Sequence, residues 1–354
     1  MNACESILGL SPYQGGKPIE ELERELGIKN ITKLASNENP LGISKKVSDA
    51  IKDSLPNINR YPDGNAFELK KAISNKLGIK PEQISLGNGS NELLELIARV
   101  FVSESSDEVI FSEYAFVVYP LVTQALGATA QVSPAKNFGH DLNAMLRLIS
   151  SNTKLIFVAN PNNPTGTLLS NEEISSFLNQ VPDHIPVVLD QAYFEYIDKE
   201  DHAISWLKEF DNLIITRTFS KAYGLAGLRV GYSICSASIS DYINRVREPF
   251  NVNHTAQIAA IAALADDEYL KESIKVNADG YEQLKIGFNV LELEYIPSSA
   301  NFIAVRFNDA MQIYNDLLHE GVIVRPVEMK NYLRISIGTK QENEHLLGAL
   351  TKIL

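Results

Sequence analysis

The segment TRTFSKAYGLAGLRVGY, residues 216–232, places one lysine, Lys221, directly after an apolar run and a short distance before Arg229. A lysine amine forms Schiff bases with aldehydes when burial or neighbouring cations activate it. Ser220 and Thr218 offer hydroxyl groups, and Arg229 offers a planar fork suited to a phosphate. A solvated surface lysine is the usual alternative, but these small and polar neighbours favour a binding site.

Two further segments carry groups that could bind a phosphate and a ligand oxygen. SLGNGSNELLELI, residues 85–97, predicts a helix with Gly89, Ser90 and Asn91 at its start, where free backbone N–H groups and the helix dipole attract anions. In VANPNNPTG, which follows an apolar strand, Asn163 could donate its amide to a ligand. Taken alone, each pattern is more typical of an ordinary helix start or a rigid turn.

A carboxylate ends another apolar strand, in VVLDQAYFEY, at Asp190. Such a group is partly buried and needs a partner. It could cap a helix or form an ion pair, or it could hold the proton of a ring nitrogen, with Tyr193 reaching the same ligand. One ligand satisfies all four segments. It has an aldehyde for Lys221, a pyridine nitrogen for Asp190, a ring hydroxyl for Asn163 and Tyr193, and a phosphate for Arg229 and the helix start. These are the groups of pyridoxal 5′-phosphate.

The elements that must position these residues alternate along the chain. Short β-branched runs, DEVIF, TKLIFVAN, PVVLD, NLIITRT and RVGYSIC, are mostly separated by helix-like stretches. This alternation predicts an α/β fold with a mostly parallel sheet covered by helices, whose ligands bind beyond the carboxyl ends of the strands. The later part has an α+β pattern. We predict an N-terminal arm packing with the small domain at 1–44, a large ligand-binding domain at 45–252, and a small C-terminal domain at 253–354.

Composition restricts the class of protein. The 354 residues are 45% hydrophobic and carry a formal net charge of −12, which argues against a nucleic-acid surface. No apolar run of about 18 residues predicts a membrane span, and the N-terminus lacks the pattern of a signal peptide. Cys4 and Cys235 form neither a disulfide framework nor a metal-ligand pattern, which is typical of the cytoplasm.

With these residues in order, the chain resembles the fold-type-I pyridoxal-phosphate-dependent aminotransferases. Over essentially its whole length it resembles more closely the histidinol-phosphate aminotransferase family. The motifs that carry the resemblance are LSPYQGGKPIEELERELG, KLASNENPLG, RYPDG, GNGSNEL, NPNNPTG, LDQAYFEY, RTFSKAYGLAGLRVGY, NFIAV, VIVRP and YLRISIGT.

The resemblance implies a role for each matching residue. Lys221 would form the Schiff base and move the substrate proton, Asp190 would pair with the pyridinium nitrogen, and Asn163 and Tyr193 would contact the ring hydroxyl. Tyr114 would lie against the ring face. The phosphate would be held by the residues of two motifs, Gly89, Ser90, Asn91, Thr218, Ser220 and Arg229.

Further residues are implied for the substrates and for assembly. Arg334 matches an arginine that binds an α-carboxylate, and with Arg325 and Tyr13 it could instead grip a substrate phosphate. Asn37 is expected at the same substrate site. Tyr61 would reach the phosphate of the neighbouring subunit, which requires a homodimer.

The resemblance therefore implies a cytoplasmic, metal-free enzyme of L-histidine biosynthesis. It would transfer an amino group by a ping-pong mechanism between glutamate or 2-oxoglutarate and imidazole-acetol phosphate or histidinol phosphate. Two alternatives stay open at this point: an aromatic or broad-range amino-acid aminotransferase, and a pyridoxal-phosphate-dependent decarboxylase of threonine phosphate. No nucleic-acid or membrane partner is expected.

Overall fold

The computed structural model describes residues 3–12, 15–197 and 202–354. Its helices are α1 Glu5–Leu8, α2 Ile19–Leu26, α3 Lys45–Ser54, α4 Phe67–Leu77, α5 Ser90–Phe101, α6 Val118–Ala125, α7 Leu142–Arg147, α8 Asn171–Leu178, α9 Ala203–Trp206, α10 Ala237–Val246, α11 His254–Leu264, α12 Asp267–Val290, α13 Ala310–His319 and α14 Lys340–Ile353. Its strands are β1 Thr32–Lys33, β2 Ile84–Gly87, β3 Glu108–Ser112, β4 Thr129–Ser133, β5 Ala135–Lys136, β6 Gly139–His140, β7 Thr153–Ala159, β8 Val187–Asp190, β9 Leu213–Thr218, β10 Gly231–Ile234, β11 Tyr295–Ile296, β12 Phe302–Arg306, β13 Val322–Ile323, β14 Arg325–Pro326 and β15 Tyr332–Ser336.

A seven-stranded sheet with the order β2-β10-β9-β8-β7-β3-β4 forms the centre of the protein. The strands from β9 to β4 pair in parallel, whereas β10 is antiparallel to both β2 and β9. The predicted α/β class with a mostly parallel sheet is therefore confirmed. Because adjacent parallel strands end at the same edge, β7, β8 and β9 deliver the loops that follow them to one place.

Both faces of this sheet are covered, and successive side chains of a strand enter different cores. In β7, Ile156 and Val158 belong to the core beneath α3, α4, α8 and α11, while Leu155 and Phe157 belong to the core beneath α5, α6 and α10. A strand buried on both faces reads as a continuous apolar run, which is how TKLIFVAN appears in the sequence.

A smaller antiparallel sheet, with the order β11-β12-β15-β14, carries a separate apolar core with α12, α13 and α14. Strand β1 pairs in parallel with β13, so the N-terminal segment lies against this smaller unit. Helix α11 begins just after residue 252, yet its alanines pack into the core of the large sheet. The boundaries 1–44, 45–252 and 253–354 stay predictions.

Candidate active site

A cavity of about 180 Å³ lies where β7, β8 and β9 end. Most of the residues singled out from the sequence line it: Asn37, Ser90, Asn91, Asn163, Asp190, Tyr193, Thr218, Ser220, Lys221, Arg229, Arg325 and Arg334. They come from both sheets and from the N-terminal segment, so the cavity lies between the large and small units.

Lys221 follows the end of β9, and its Nζ donates a hydrogen bond to the backbone oxygen of Ser36 at 3.1 Å. Burial lowers the pKa of Lys221 to about 7, and the positive charges of Arg334 and Arg229 act in the same direction. The carboxylates of Glu38 and Asp190 only partly oppose this shift. A substantial fraction of the amine is therefore neutral near pH 7, and this is the form that attacks an aldehyde or accepts a proton.

Asp190 is the last residue of β8 and is buried. Tyr119 Oη donates to its Oδ2 at 2.8 Å, and Thr216 Oγ1 donates to its Oδ1 at 3.1 Å. Burial raises the pKa of Asp190, while these two hydrogen bonds and one from the Ala192 backbone oppose the rise. The result is a carboxylate held at the cavity wall in one orientation.

A network of hydrogen bonds joins the Tyr193 phenol, two asparagine amides and the Arg334 guanidinium in the cavity wall. Tyr193 Oη accepts from Asn163 Nδ2 at 3.2 Å and from Asn37 Nδ2 at 3.0 Å. Arg334 Nη1 donates to Asn163 Oδ1 at 2.7 Å, and its Nη2 donates to the Ala35 backbone oxygen at 2.8 Å. Tyr193 Oη therefore links both asparagine amides at the cavity wall.

Near the start of α5, the cavity has several groups that can bind an anion. Helix α5 begins at Ser90, and the preceding Gly89 has a φ of 78°. Arg229 Nη1 donates to Ser220 Oγ at 3.3 Å and to the Ala226 backbone oxygen at 3.1 Å. A Cβ at Gly231 would lie 2.6 Å from Ser90 N, so only glycine permits β10 to approach this helix start. Backbone N–H groups, the helix dipole and a guanidinium thus converge.

Three expected residues do not line this cavity, and a fourth belongs to the residues that the structure does not describe. Gly89 contributes backbone beside Arg229 rather than cavity wall. Tyr114 lines the adjoining cavity rather than the main one, whose wall includes the aromatic rings of Phe116 and Tyr193. The Tyr114 ring lies 6.1 Å from that of Phe138, measured between centroids, and its assignment to the ring face stays a prediction. Tyr61 is 83% exposed and outside this chain's cavity, and Tyr13 lies outside the described residues.

A second cavity of about 270 Å³ adjoins the first and shares Phe116, Asn163, Arg325 and Arg334 with it. Its remaining walls are mainly apolar, with Tyr114 and Met329 among them. The two arginines thus lie at the junction, where an anionic group can bind while an uncharged group extends further.

Sequence reasoning missed three contributors to this site. Phe116 carried a weak signal as one of several aromatic residues after β3, but Tyr119 and Thr216 carried none. Their contacts with Asp190 depend on where α6 and β9 lie relative to β8, which no local pattern reveals.

The arrangement fits the pyridoxal phosphate expected from the sequence. It offers an amine of lowered pKa, a buried carboxylate for a ring nitrogen, a phenol and amide for a ring oxygen, and an anion cradle that a Cβ at Gly231 would fill. In the described part of the chain, no three or more His, Cys, Asp or Glu residues are grouped to bind a metal. Nor does any described helix have the length and apolar character needed to cross a membrane.

Comparisons with known proteins agree with this geometry. The model of the family "Aminotransferase class I and II" matches residues 29–350. "Histidinol-phosphate aminotransferase 1" of Mannheimia succiniciproducens is 54% identical, with 99% of this chain and 98% of that protein aligned. The chain belongs to the class I and II aminotransferases, in the histidinol-phosphate aminotransferase family.

Other members of the aminotransferase family agree at the level of sequence and structure. "Histidinol-phosphate aminotransferase 2" of Pasteurella multocida is also 54% identical, over 99% of this chain and 97% of its own length. A crystal structure of histidinol-phosphate aminotransferase from Sinorhizobium meliloti, in complex with pyridoxal-5′-phosphate, superposes with a TM-score of 0.91 at 30% identity. That superposition covers 99% of this chain and 96% of the other.

Proposed function

We propose that this protein is a pyridoxal-phosphate-dependent histidinol-phosphate aminotransferase. It exchanges an amino group between glutamate and 2-oxoglutarate on one side and histidinol phosphate and imidazole-acetol phosphate on the other. The observation that carries the proposal is the position of Lys221, with a pKa near 7, in one cavity with Asp190, Arg229 and Arg334. Family membership with full-length relatives of that name supports the choice of substrate.

Three sets of residues in and beside the cavity would bind the cofactor. The Asp190 carboxylate would pair with the ring nitrogen, Tyr193 and Asn163 would bind the ring oxygen, and Tyr114 would lie against the ring face. The phosphate would be bound by the anion cradle, formed by Gly89, Ser90, Asn91, Thr218, Ser220 and Arg229. Pyridoxal phosphate, when bound, supplies an electron-withdrawing ring that stabilises negative charge on the substrate's α-carbon.

The chain's own residues then perform the proton transfer. The Nζ of Lys221 removes the proton from the substrate's α-carbon, since a base with a pKa near 7 is both available and strong enough at neutral pH. Asp190, held by Tyr119 and Thr216, would present its negative charge to the ring nitrogen. Burial among the walls excludes water, which strengthens each of these electrostatic interactions.

Substrate anions would bind at Arg334 and Arg325, with Asn37 and Tyr13 completing the site. Glutamate offers carboxylates and histidinol phosphate offers a phosphate, and a guanidinium fork accepts either. The adjoining 270 Å³ cavity, with mainly apolar walls, is suited to the uncharged imidazole arm of histidinol phosphate. One site used in turn by two substrates gives ping-pong kinetics.

A homodimer would complete each site. Tyr61 is 83% exposed and stacks on Phe250, with ring centroids 4.7 Å apart, and Leu55, Ile58 and Phe67 are also exposed. Apolar residues exposed in one region of a protein are a common sign of an interface. Across it, Tyr61 would reach the phosphate of the other subunit. Cys4 and Cys235 are unpaired, which supports a cytoplasmic location.

The decisive test follows amino-group transfer from histidinol phosphate to 2-oxoglutarate by measuring glutamate. The purified protein should be yellow, and addition of either amino donor should bleach the colour. Lys221→Ala should abolish the transfer. A higher kcat/KM for phenylalanine than for histidinol phosphate would establish the broad-range alternative, and release of carbon dioxide from threonine phosphate would establish the decarboxylase.

A further inference from the structure

Tyr119, in α6, is completely buried and rigidly held. Its ring stacks on Phe157 with centroids 4.5 Å apart and an interplanar angle of 1°, and Phe116 contacts it edge-on at 5.9 Å. Its hydroxyl donates to Asp190 Oδ2 at 2.8 Å. The stacked and edge-on contacts of this buried ring fix the direction in which the hydroxyl points.

The Asp190 carboxylate receives hydrogen bonds of a particular kind. Tyr119 donates to one oxygen and Thr216 to the other, and both donors are neutral. Neutral donors stabilise a buried carboxylate without cancelling its charge. A lysine or arginine in the same place would form an ion pair and neutralise the carboxylate. A carboxylate oxygen has a further lone pair after accepting one bond, so Asp190 can still accept a proton-bearing ring nitrogen.

The other charged and titratable groups facing this pair are few. Lys221 lies on the cavity side and lowers the pKa of Asp190, and the phenol of Tyr193 is the neighbouring ionisable group of Tyr119. The pKa of Tyr119 itself is raised well above its usual value by burial and by the charge of Asp190. Tyr119 therefore remains a neutral donor at every pH at which the protein works.

We propose that Tyr119 is a positioning residue that keeps the Asp190 carboxylate ionised and aimed at the cofactor's ring nitrogen, with Thr216 holding the other oxygen. The inference rests on the proposed function, because it presupposes that pyridoxal phosphate binds in this cavity. Without the phenol, burial favours the protonated carboxyl group, and a neutral carboxyl group cannot stabilise a positively charged ring nitrogen.

Equilibrium binding of two probes tests this role apart from catalysis. The probes are pyridoxal phosphate and its 1-deaza analogue, in which a C–H group replaces the ring nitrogen. Tyr119→Phe keeps the packed ring and removes only the donor. The affinity for pyridoxal phosphate, divided by the affinity for the 1-deaza analogue, should be about tenfold or more lower in the variant than in the wild type. A change of this size is expected when a hydrogen bond to a charged group is lost. Tyr295→Phe, in the small sheet, should leave the ratio at the wild-type value.

A second readout is the absorption spectrum of the loaded enzyme as the pH rises. The band of the ring-protonated form should disappear at a lower pH in Tyr119→Phe than in the wild type. Glutamate turnover should show a lower kcat with little change in KM. An unchanged affinity ratio and an unchanged spectral titration in a folded Tyr119→Phe variant would overturn the proposal and leave Tyr119 with a packing role only.

Two further outcomes are distinguishable. If Tyr119→Phe does not fold, Thr216→Val removes the second donor and should shift the affinity ratio in the same direction; no shift there would equally contradict the proposal. If the wild-type protein binds neither probe, the proposed function itself fails, whatever the variants do.

Discussion

Arg334 and Asn163 are joined by a hydrogen bond of 2.7 Å from Nη1 to Oδ1, although one lies on the small sheet and the other follows β7 of the large sheet. The same asparagine donates to Tyr193 at 3.2 Å. The arginine proposed for substrate anions is therefore connected to the groups proposed for the cofactor's ring oxygen. We therefore expect an anion bound at Arg334 to compete with Asn163 for the guanidinium.

Replacing Arg334 by alanine should therefore weaken the binding of both anionic substrates, glutamate and histidinol phosphate. Removal of one partner from a buried charged hydrogen-bond pair costs about 2–5 kcal/mol, so kcat/KM for glutamate and for histidinol phosphate should each fall by about 30-fold or more. Steady-state kinetics with each substrate measure the loss. The matched control is Arg306→Ala, because Arg306 pairs with Glu294 on the exposed surface. Equal losses in both variants would exclude a specific role for Arg334.

The lowered pKa of Lys221 predicts how its reactivity depends on pH. For a lysine with a folded-state pKa of about 7 instead of 10.5, the amine loses its proton over a lower pH range. Covalent capture of pyridoxal by the apoprotein, trapped with borohydride, should therefore rise with a midpoint near pH 7. Peptide mapping of the trapped protein assigns the modified lysine.

An internal control is present in the same sample. Lys275 is exposed, and its hydrogen bond to Asp279 raises its pKa above 10.5, so its capture should begin at much higher pH. If Lys221 and Lys275 become modified over the same pH range, the Lys221 amine is solvated and the electrostatic account is wrong.

The lowered pKa of Lys221 also makes the stability of the apoprotein depend on pH. Between pH 7 and 10.5 the unfolded chain binds a proton at Lys221 that the folded chain does not bind, so the stability of the apoprotein should rise with pH in that window. Thermal unfolding at several pH values should show this contribution in the wild type. Lys221→Met, which keeps the length without the charge, should lack it.

Gly89 should be intolerant of a side chain. Its φ of 78° disfavours other residues, and a Cβ there would collide with the Arg229 guanidinium. Gly89→Ala should displace Arg229 and weaken pyridoxal phosphate binding by about 1–3 kcal/mol, while binding of pyridoxal, which has no phosphate, should change much less. Gly348→Ala is the control, because nothing lies within 4 Å of that site on α14. It should stabilise the protein by about 0.5–1 kcal/mol without affecting the cofactor.

A subunit-mixing experiment tests the proposed exchange of Tyr61. Tyr61→Ala and Lys221→Ala should each be poorly active alone. In a mixed dimer, the subunit that retains Lys221 receives Tyr61 from its partner, so one site is intact and activity should return after the two variants are refolded together. No recovery, although mixed dimers are detected by mass, would show that Tyr61 serves its own subunit or none.

The sequence predicted the parts of this molecule that local chemistry determines. Apolar runs ending in a polar residue predicted β7, β8 and β9, and the residues at their ends, including Asp190 and Asn163, lie at the cavity. Glycines before an amphipathic segment predicted the start of α5. The fold class and the family could be predicted without knowing which distant segments of the chain contact each other.

What the sequence could not predict depends on pairing between distant segments. RVGYSIC reads as another strand, but its antiparallel placement between β2 and β9 is a tertiary choice. Phe116 lines the main cavity and Tyr114 the adjoining one, a division between two aromatic residues of one loop that no local pattern reveals. The packing of α11 against the large core is equally invisible in an alanine-rich helix whose faces hardly differ.

The insertion of β10 between β2 and β9 has a consequence for biosynthesis. Ser90 follows β2 in the early part of the chain, whereas Arg229 and Gly231 come far later in the sequence. The anion cradle therefore forms only when β10 has paired with β2 and β9. A nascent or partly folded chain lacks this cradle. We therefore expect uptake of the vitamin-derived cofactor to begin only after these three strands have paired.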